Sequence, residues 1–240
     1  MTEHTFEPNE VLDLWFPQTG HETAIETHGA FWDERMQGGM DATIVDSFGP
    51  LTIAAARGEL DHWAQTARGR LALLITLDQF PRSLWRDTPG AFAQDIKATR
   101  LALEGIANGH FAELMPWEQT FFIIAITHCE GPDHWDRLNA QWDVIATIEA
   151  AMPDVLAGMR GALRGQHERV MGIIATFARH PHRNAVLGRA STAAEEAYIA
   201  TGDFPHVRKI ADIAQTADCR LQTKIALAIP SAVLLFLLAE

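Results

Sequence analysis

An all-α fold is predicted from three features of the sequence. Apolar residues recur at spacings of three and four along most of the chain, two segments are apolar on nearly every side, and no segment alternates with period two for long enough to form a strand. About ten helices with short connections account for that pattern.

The most apolar segment carries Leu71, Leu73, Leu74, Ile75 and Leu77 and leaves no polar face, so it belongs inside the protein on all sides. It runs directly into Asp78, Gln79, Arg82 and Arg86. Pro81 has no N–H to donate and clashes with the carbonyl of Leu77, which predicts a kink or restart that aims Arg82 in a fixed direction. The second such helix opens at Pro116 and reads WEQTFFIIAITHC.

The other helices are placed by their caps and breakers. Pro8 takes a first-turn position before VLDLWF, whose Leu12, Trp15 and Phe16 share a face. A helix is expected over about residues 22–37, stopped by Gly38 and Gly39, and Asp41 is expected to cap a third that Gly49 and Pro50 bend. A turn capped by Asp61 precedes the central helix. From Ala91 to Asn108 a helix is expected with Ile96, Leu101, Leu103 and Ile106 inward, closed by Gly109. Asp133 is expected to cap a longer one carrying Trp135, Leu138, Trp142, Ile145 and Met152. Another covers about Gln166 to Arg179, and Thr192 with Glu195 forms a capping box for the next.

Composition narrows the function classes. The net charge is -12, and residues 1–66 hold 12 acidic side chains against 2 basic ones, so no basic surface is available for phosphate and nucleic acid is not an expected partner. Two cysteines, Cys129 and Cys219, suit a reducing compartment, and the first residues lack the basic and apolar regions of a leader, so a cytoplasmic protein is expected. A change of composition near His206 divides the chain into a helical domain, 1–205, and a C-terminal extension, 206–240. The apolar run Ile225 to Ala239 amounts to about 22 Å of helix against roughly 30 Å of bilayer core, and Pro230 interrupts it. Packing on the chain's own core or on a second subunit, as in a homodimer, is expected ahead of membrane contact.

Three polar clusters could carry chemistry. Asp78, Gln79, Arg82 and Arg86 lie beside so apolar a segment that the charges must pair, and the two arginines could also face an anionic ligand. His128 and Glu130 end the second apolar helix. Residues two apart on a helix point some 200° from each other, so no metal site is expected there. The third cluster places Arg179, His180, His182, Arg183, Asn184 and Arg189 in one loop. Either Arg183 and Arg189 tie that loop to Asp78, Glu130 and helix-end carbonyls, or His182 acts as an acid or base beside an arginine clamp.

VLDLWF, GRLALLITLDQFPRSLWRDTPGAFAQD, THCE and FARHPHRNAVLGRASTAAEEAYI resemble successive blocks of the bacterial domain-of-unknown-function family number 924, from about Val11 to Asp203. The resemblance implies an α-α superhelix of antiparallel hairpins similar to tetratricopeptide-repeat proteins, and it supplies no settled reaction. Its motif positions fall on Asp78, Gln79, Arg82, Arg86, His128, Glu130, His182, Arg183, Asn184 and Arg189. The chain departs from the pattern at Cys129, where a serine is usual, and at Ala178 and His180, which replace a glycine and a phenylalanine.

The leading expectation is a helical-hairpin module that binds a peptide or a small anionic ligand where the clusters converge. The alternative is a hydrolase or transferase acting on a phosphate or carboxylate substrate, with His182 as acid/base, although no GxSxG, HExxH or P-loop motif is present. An assembly or membrane-tethered protein acting through its C-terminal helix is the third. No motif calls for a cofactor.

Overall fold

The computed structural model describes residues 5–204. Among them the regular elements are all helical: α1 (Pro8–Trp15), α2 (Ile25–Met36), α3 (Asp41–Ser47), α4 (Gly49–Ala56), α5 (Ala67–Asp78), α6 (Phe80–Leu84), α7 (Asp95–Ala107), α8 (Pro116–His128), α9 (His134–Asn139), α10 (Trp142–Ala151), α11 (Ala162–Phe177) and α12 (Ala193–Ala200). Short 3-10 turns join several of them. No helix of the described residues is long and apolar enough to cross a membrane. The division near residue 206 and the run Ile225 to Ala239 lie outside the described residues.

Helix α5 is the axis of the fold. It starts where Thr66 Oγ1 accepts the N–H of Gly69 at 3.1 Å, and every residue from Gly69 to Asp78 is buried. The expected restart at Pro81 is present, because the chain leaves α5 through Gln79 and re-enters a helix as α6 with Pro81 in its first turn. α8 is buried nearly throughout, and α1 covers α5 with Val11, Leu12 and Trp15.

The relative directions of α5, α7 and α8 follow from their cross-links. Arg68 bonds Glu118 near the starts of α5 and α8, and Asp78 bonds His128 near their ends, so these two run parallel. Thr99 Oγ1 donates to the Ala125 carbonyl at 3.0 Å, and Arg70 donates to the Leu101 carbonyl at 2.9 Å, so α7 runs against both. The start of α7 is thereby brought to the ends of α5 and α8.

Close packing of α7 overturns part of the sequence expectation. Ile96 and Leu103 are 75% and 42% exposed, and the inward face is made of Ala98, Thr99, Leu101, Ala102 and Gly105. Apart from Leu101, bulky side chains on α5 and α8 are met by small partners on α7. A Cβ on Gly105 would lie 2.6 Å from Arg70 Cδ and 2.7 Å from Phe122 Cε1. Gly105→Ala is therefore expected to lower stability by about 1–3 kcal/mol through overpacking. An unchanged urea midpoint would show that the interface can spread at no cost.

Other boundaries also differ. The helix expected over 22–37 is a 3-10 turn, His21–Thr23, followed by α2. Gly49 and Pro50 break the third helix completely, since Pro50 suits the first turn of a new one. Met40, not Asp41, holds the N-cap position of α3, and the carboxylate of Asp41 in the first turn accepts from Ser83 Oγ at 2.6 Å and from Arg86. The helix after Asp133 is split into α9 and α10, and Trp135 is 44% exposed. The Thr192–Glu195 capping box is present at α12. Ala178 ends α11 at φ 58°, a left-handed conformation that explains why glycine suits the position.

Candidate functional site

Where α5 and α8 end and α7 begins, a charged network is buried. His128 Nδ1 lies 2.8 Å from Asp78 Oδ1, and Gln79 Nε2 donates to Asp78 Oδ2. Arg82 reaches back over the last turn of α5 to the Asp78 carbonyl, stands 3.3 Å from the Asp78 carboxylate, and donates to Asp95 Oδ1 at 2.8 Å. Arg183 approaches from the loop after α11, donating to Asp95 Oδ2 at 3.2 Å and to the His128 carbonyl at 2.8 Å. Its guanidinium lies 4.4 Å from the Phe92 ring centroid.

Asp95 is the group that the sequence reading passed over. It sits in the first turn of α7, where an acidic residue looks like an ordinary complement to the helix dipole. In the structure it is the shared counter-ion of Arg82 and Arg183, and Arg183 meets Asp95 where an ion pair with Asp78 was one expectation.

Electrostatics follows from burial. Desolvation pushes His128 well below the ordinary imidazole range, and the charges of Arg82 and Arg183 push it the same way, so the ring is neutral and donates its Nδ1 proton to Asp78. Burial also opposes the charge of Arg82, but Asp78 and Asp95 outweigh it and raise its pKa. For Asp95 burial raises the pKa against the pull of Arg82 and Arg183, and two bonded guanidiniums keep the carboxylate ionised near neutrality.

The remaining candidates separate into two structural ties and one isolated ring. Glu130 accepts Arg189 and the His180 N–H, and Arg189 Nε donates to Asn184 Oδ1 at 3.0 Å, which fixes the loop to the end of α8. Burial acts to raise the pKa of Glu130, but its bond from Arg189 leads the opposing effects and holds it below the usual value. Arg86 turns away to Asp41. His182 packs 5.4 Å from the His180 ring and 5.2 Å from the Phe204 ring, and burial depresses its pKa to about 4.

A cavity of about 400 Å³ opens directly on part of this network. Gln79, Arg82 and His128 line it together with the polar side chains of Gln37, Thr120, Gln166 and Arg169, while Trp32, Ile124, Met152, Met159, Leu163 and Phe204 supply apolar walls. Arg183 and His182 do not line it. Thus Arg82, His128 and Arg183 converge as one network, yet only the first two face the cavity. No group of three metal-ligating side chains able to hold an ion occurs among the described residues.

Among proteins with curated descriptions, none matches the chain. A solved structure described as a protein of unknown function, ATU0120 from Agrobacterium tumefaciens, is similar to it with 28% identity and a TM-score of 0.62, over 81% of this chain and 97% of that one. The model of the family described as bacterial protein of unknown function, DUF924, matches residues 11–203, and the chain belongs to that family.

Proposed function

We propose that this protein is a ligand-binding helical module whose site is the cavity at the ends of α5 and α8. One observation carries the reading: an open, largely apolar cavity of about 400 Å³ is lined in part by Gln79, Arg82 and His128 of the buried polar network. A preformed concavity with apolar walls and a few convergent polar groups is the usual form of a small-molecule site. The walls would hold the body of an amphipathic molecule, and Gln79, Arg82 and His128 would receive its polar end. The acid/base role considered for His182 has less support, since the ring stands outside the cavity wall and against Phe204.

The fluorescent neutral probe N-phenyl-1-naphthylamine tests the reading. One equivalent is expected to bind with enhanced emission. Ile124→Trp, which places an indole in the cavity, is expected to weaken binding at least tenfold. Met159→Trp fills the same space from a surface turn and serves if the first variant does not fold. Equal binding by the native protein and a folded variant would place the probe elsewhere and defeat the proposal.

A further inference from the structure

Charge sets the lining of the cavity apart from the rest of the molecule. The chain carries a net charge of -12, yet the charged side chains that line the cavity are Arg82 and Arg169, and no aspartate or glutamate of the described residues joins them. Asp78 and Asp95 are buried and stand outside the lining, so the charged group of the network that a ligand meets is Arg82. The other polar lining residues are Gln37, Gln79, Thr120, Gln166 and a neutral His128.

Arg82 has donors left to offer. A guanidinium carries five N–H groups. Its Nη1 bonds the Asp78 carbonyl and stands 3.3 Å from the Asp78 carboxylate, and its Nη2 bonds Asp95 Oδ1 at 2.8 Å. At most three N–H groups are spent in this way, so at least two remain among the described residues, Nε–H included. The Nε of Arg183 is buried without a partner, whereas the unbonded Nε of Arg82 keeps access to solvent. Unspent donors on one planar cation suit the two oxygens of a carboxylate, and such charge-assisted bonds are stronger than those to a neutral carbonyl, which presents a single oxygen.

Arg169 adds a second positive charge. Its bond to Asp203 at 2.7 Å joins two exposed side chains, and a pair so open to water contributes little and can be exchanged for a ligand. The apolar side of the cavity is adaptable, since Met36, Met152 and Met159 lie there with Trp32, and thioether side chains fit themselves to varied shapes.

Resting on the cavity reading above, we infer that the ligand is an amphipathic carboxylate, its two oxygens held by the unspent N–H groups of Arg82 and its apolar body lodged against Trp32 and the methionines. Acyl-chain acids and aromatic acids share that chemistry.

Displacement of N-phenyl-1-naphthylamine at pH 7.5 by octanoate, octanamide and methyl octanoate, confirmed by calorimetry, tests the inference. Octanoate is expected to bind at least tenfold more tightly than either neutral ligand. In Arg82→Lys, which keeps the charge and removes the planar fork, that ratio is expected to fall at least fivefold, with probe binding retained as evidence that the cavity is intact. A neutral ligand binding as tightly as octanoate, octanoate failing to displace a bound probe, or an unchanged ratio in folded Arg82→Lys would overturn the inference while leaving the cavity reading standing. A probe that does not bind would remove both. The ligand comparison uses the native protein and decides the matter even if Arg82→Lys does not fold. 4-Phenylbutanoate, run in parallel, separates the sources: tighter binding than octanoate points to an aromatic acid, weaker binding to an acyl chain.

Discussion

Asp95→Ala is expected to destabilise the protein by about 3–5 kcal/mol, the range for removing one partner of a buried ion pair. The side chain is 6% exposed and is the common acceptor of Arg82 and Arg183, so its loss strands two guanidiniums at once. Arg183 has little means to recover, because its Nε is already buried without a partner and its ring contact with Phe92 holds the head in place. A smaller loss, about 1 kcal/mol, is expected of Asp41→Ala, whose partner Arg86 is 20% exposed and can turn to water. Urea titration separates the two: the midpoint should fall far more for Asp95→Ala, with the slope unchanged. Equal shifts would mean that water enters the network and that the pairing of charge, as described, does not govern its stability.

A second large effect is expected on acidification. His28 and His134 are 0% and 1% exposed, and both titrate near 4 against the ordinary 6.5. Burial leads in each case, followed by the charge of His21 for His28 and of Arg137 for His134. Hydrogen bonding shows why a second proton is unwelcome. Trp32 Nε1 donates to His28 Nε2 at 2.9 Å, and the remaining nitrogen faces His21 Nδ1 at 3.1 Å, so protonating Nε2 would set one donor against another. His134 donates through Nε2 to the Thr127 carbonyl at 3.0 Å, and its Nδ1 is buried without a partner, so a proton there would have no acceptor.

The folded-state pKa values are depressed, so the unfolded chain binds more protons between pH 6.5 and 4. Stability is present in full above 6.5 and is lost as pH falls toward 4. At pH 5 the expected loss is about 2 kcal/mol for each histidine, a large share of the roughly 5–15 kcal/mol of a typical domain. Urea midpoints measured at pH 7 and pH 5 test this directly. His28→Gln should reduce the difference by about 2 kcal/mol, its own share beside those of His134, His182 and His128, and a native protein equally stable at both values would contradict the assignment.

Much of the fold can be read without coordinates because its signals are local. Pro8, Pro81 and Pro116 mark first turns, Thr192 and Glu195 close a capping box, and the two apolar segments become α5 and α8. A proline, a cap or an all-round apolar run acts within about four residues of itself, and such signals do not depend on what packs nearby. The inward face of α7 is different. Ile96 and Leu103 are good apolar candidates by pattern, yet the space between α5 and α8 admits only alanine, threonine and glycine at the closest approach. That choice belongs to the neighbouring helices.

The sequence by itself determined the class, the helix boundaries set by proline and caps, and the rule that the charges beside α5 must find partners. Which partners they find was decided by the tertiary structure alone. Asp78 meets His128 across 50 residues and Arg183 meets Asp95 across 88, because α7 runs against α5 and α8 and brings its first turn to their ends. The cavity likewise depends on Trp32, Met152 and Phe204 coming together from separate parts of the chain. Local propensity carries no information about such meetings, since ion pairing and packing depend on distance in space, and that distance is set by how the helices are aligned.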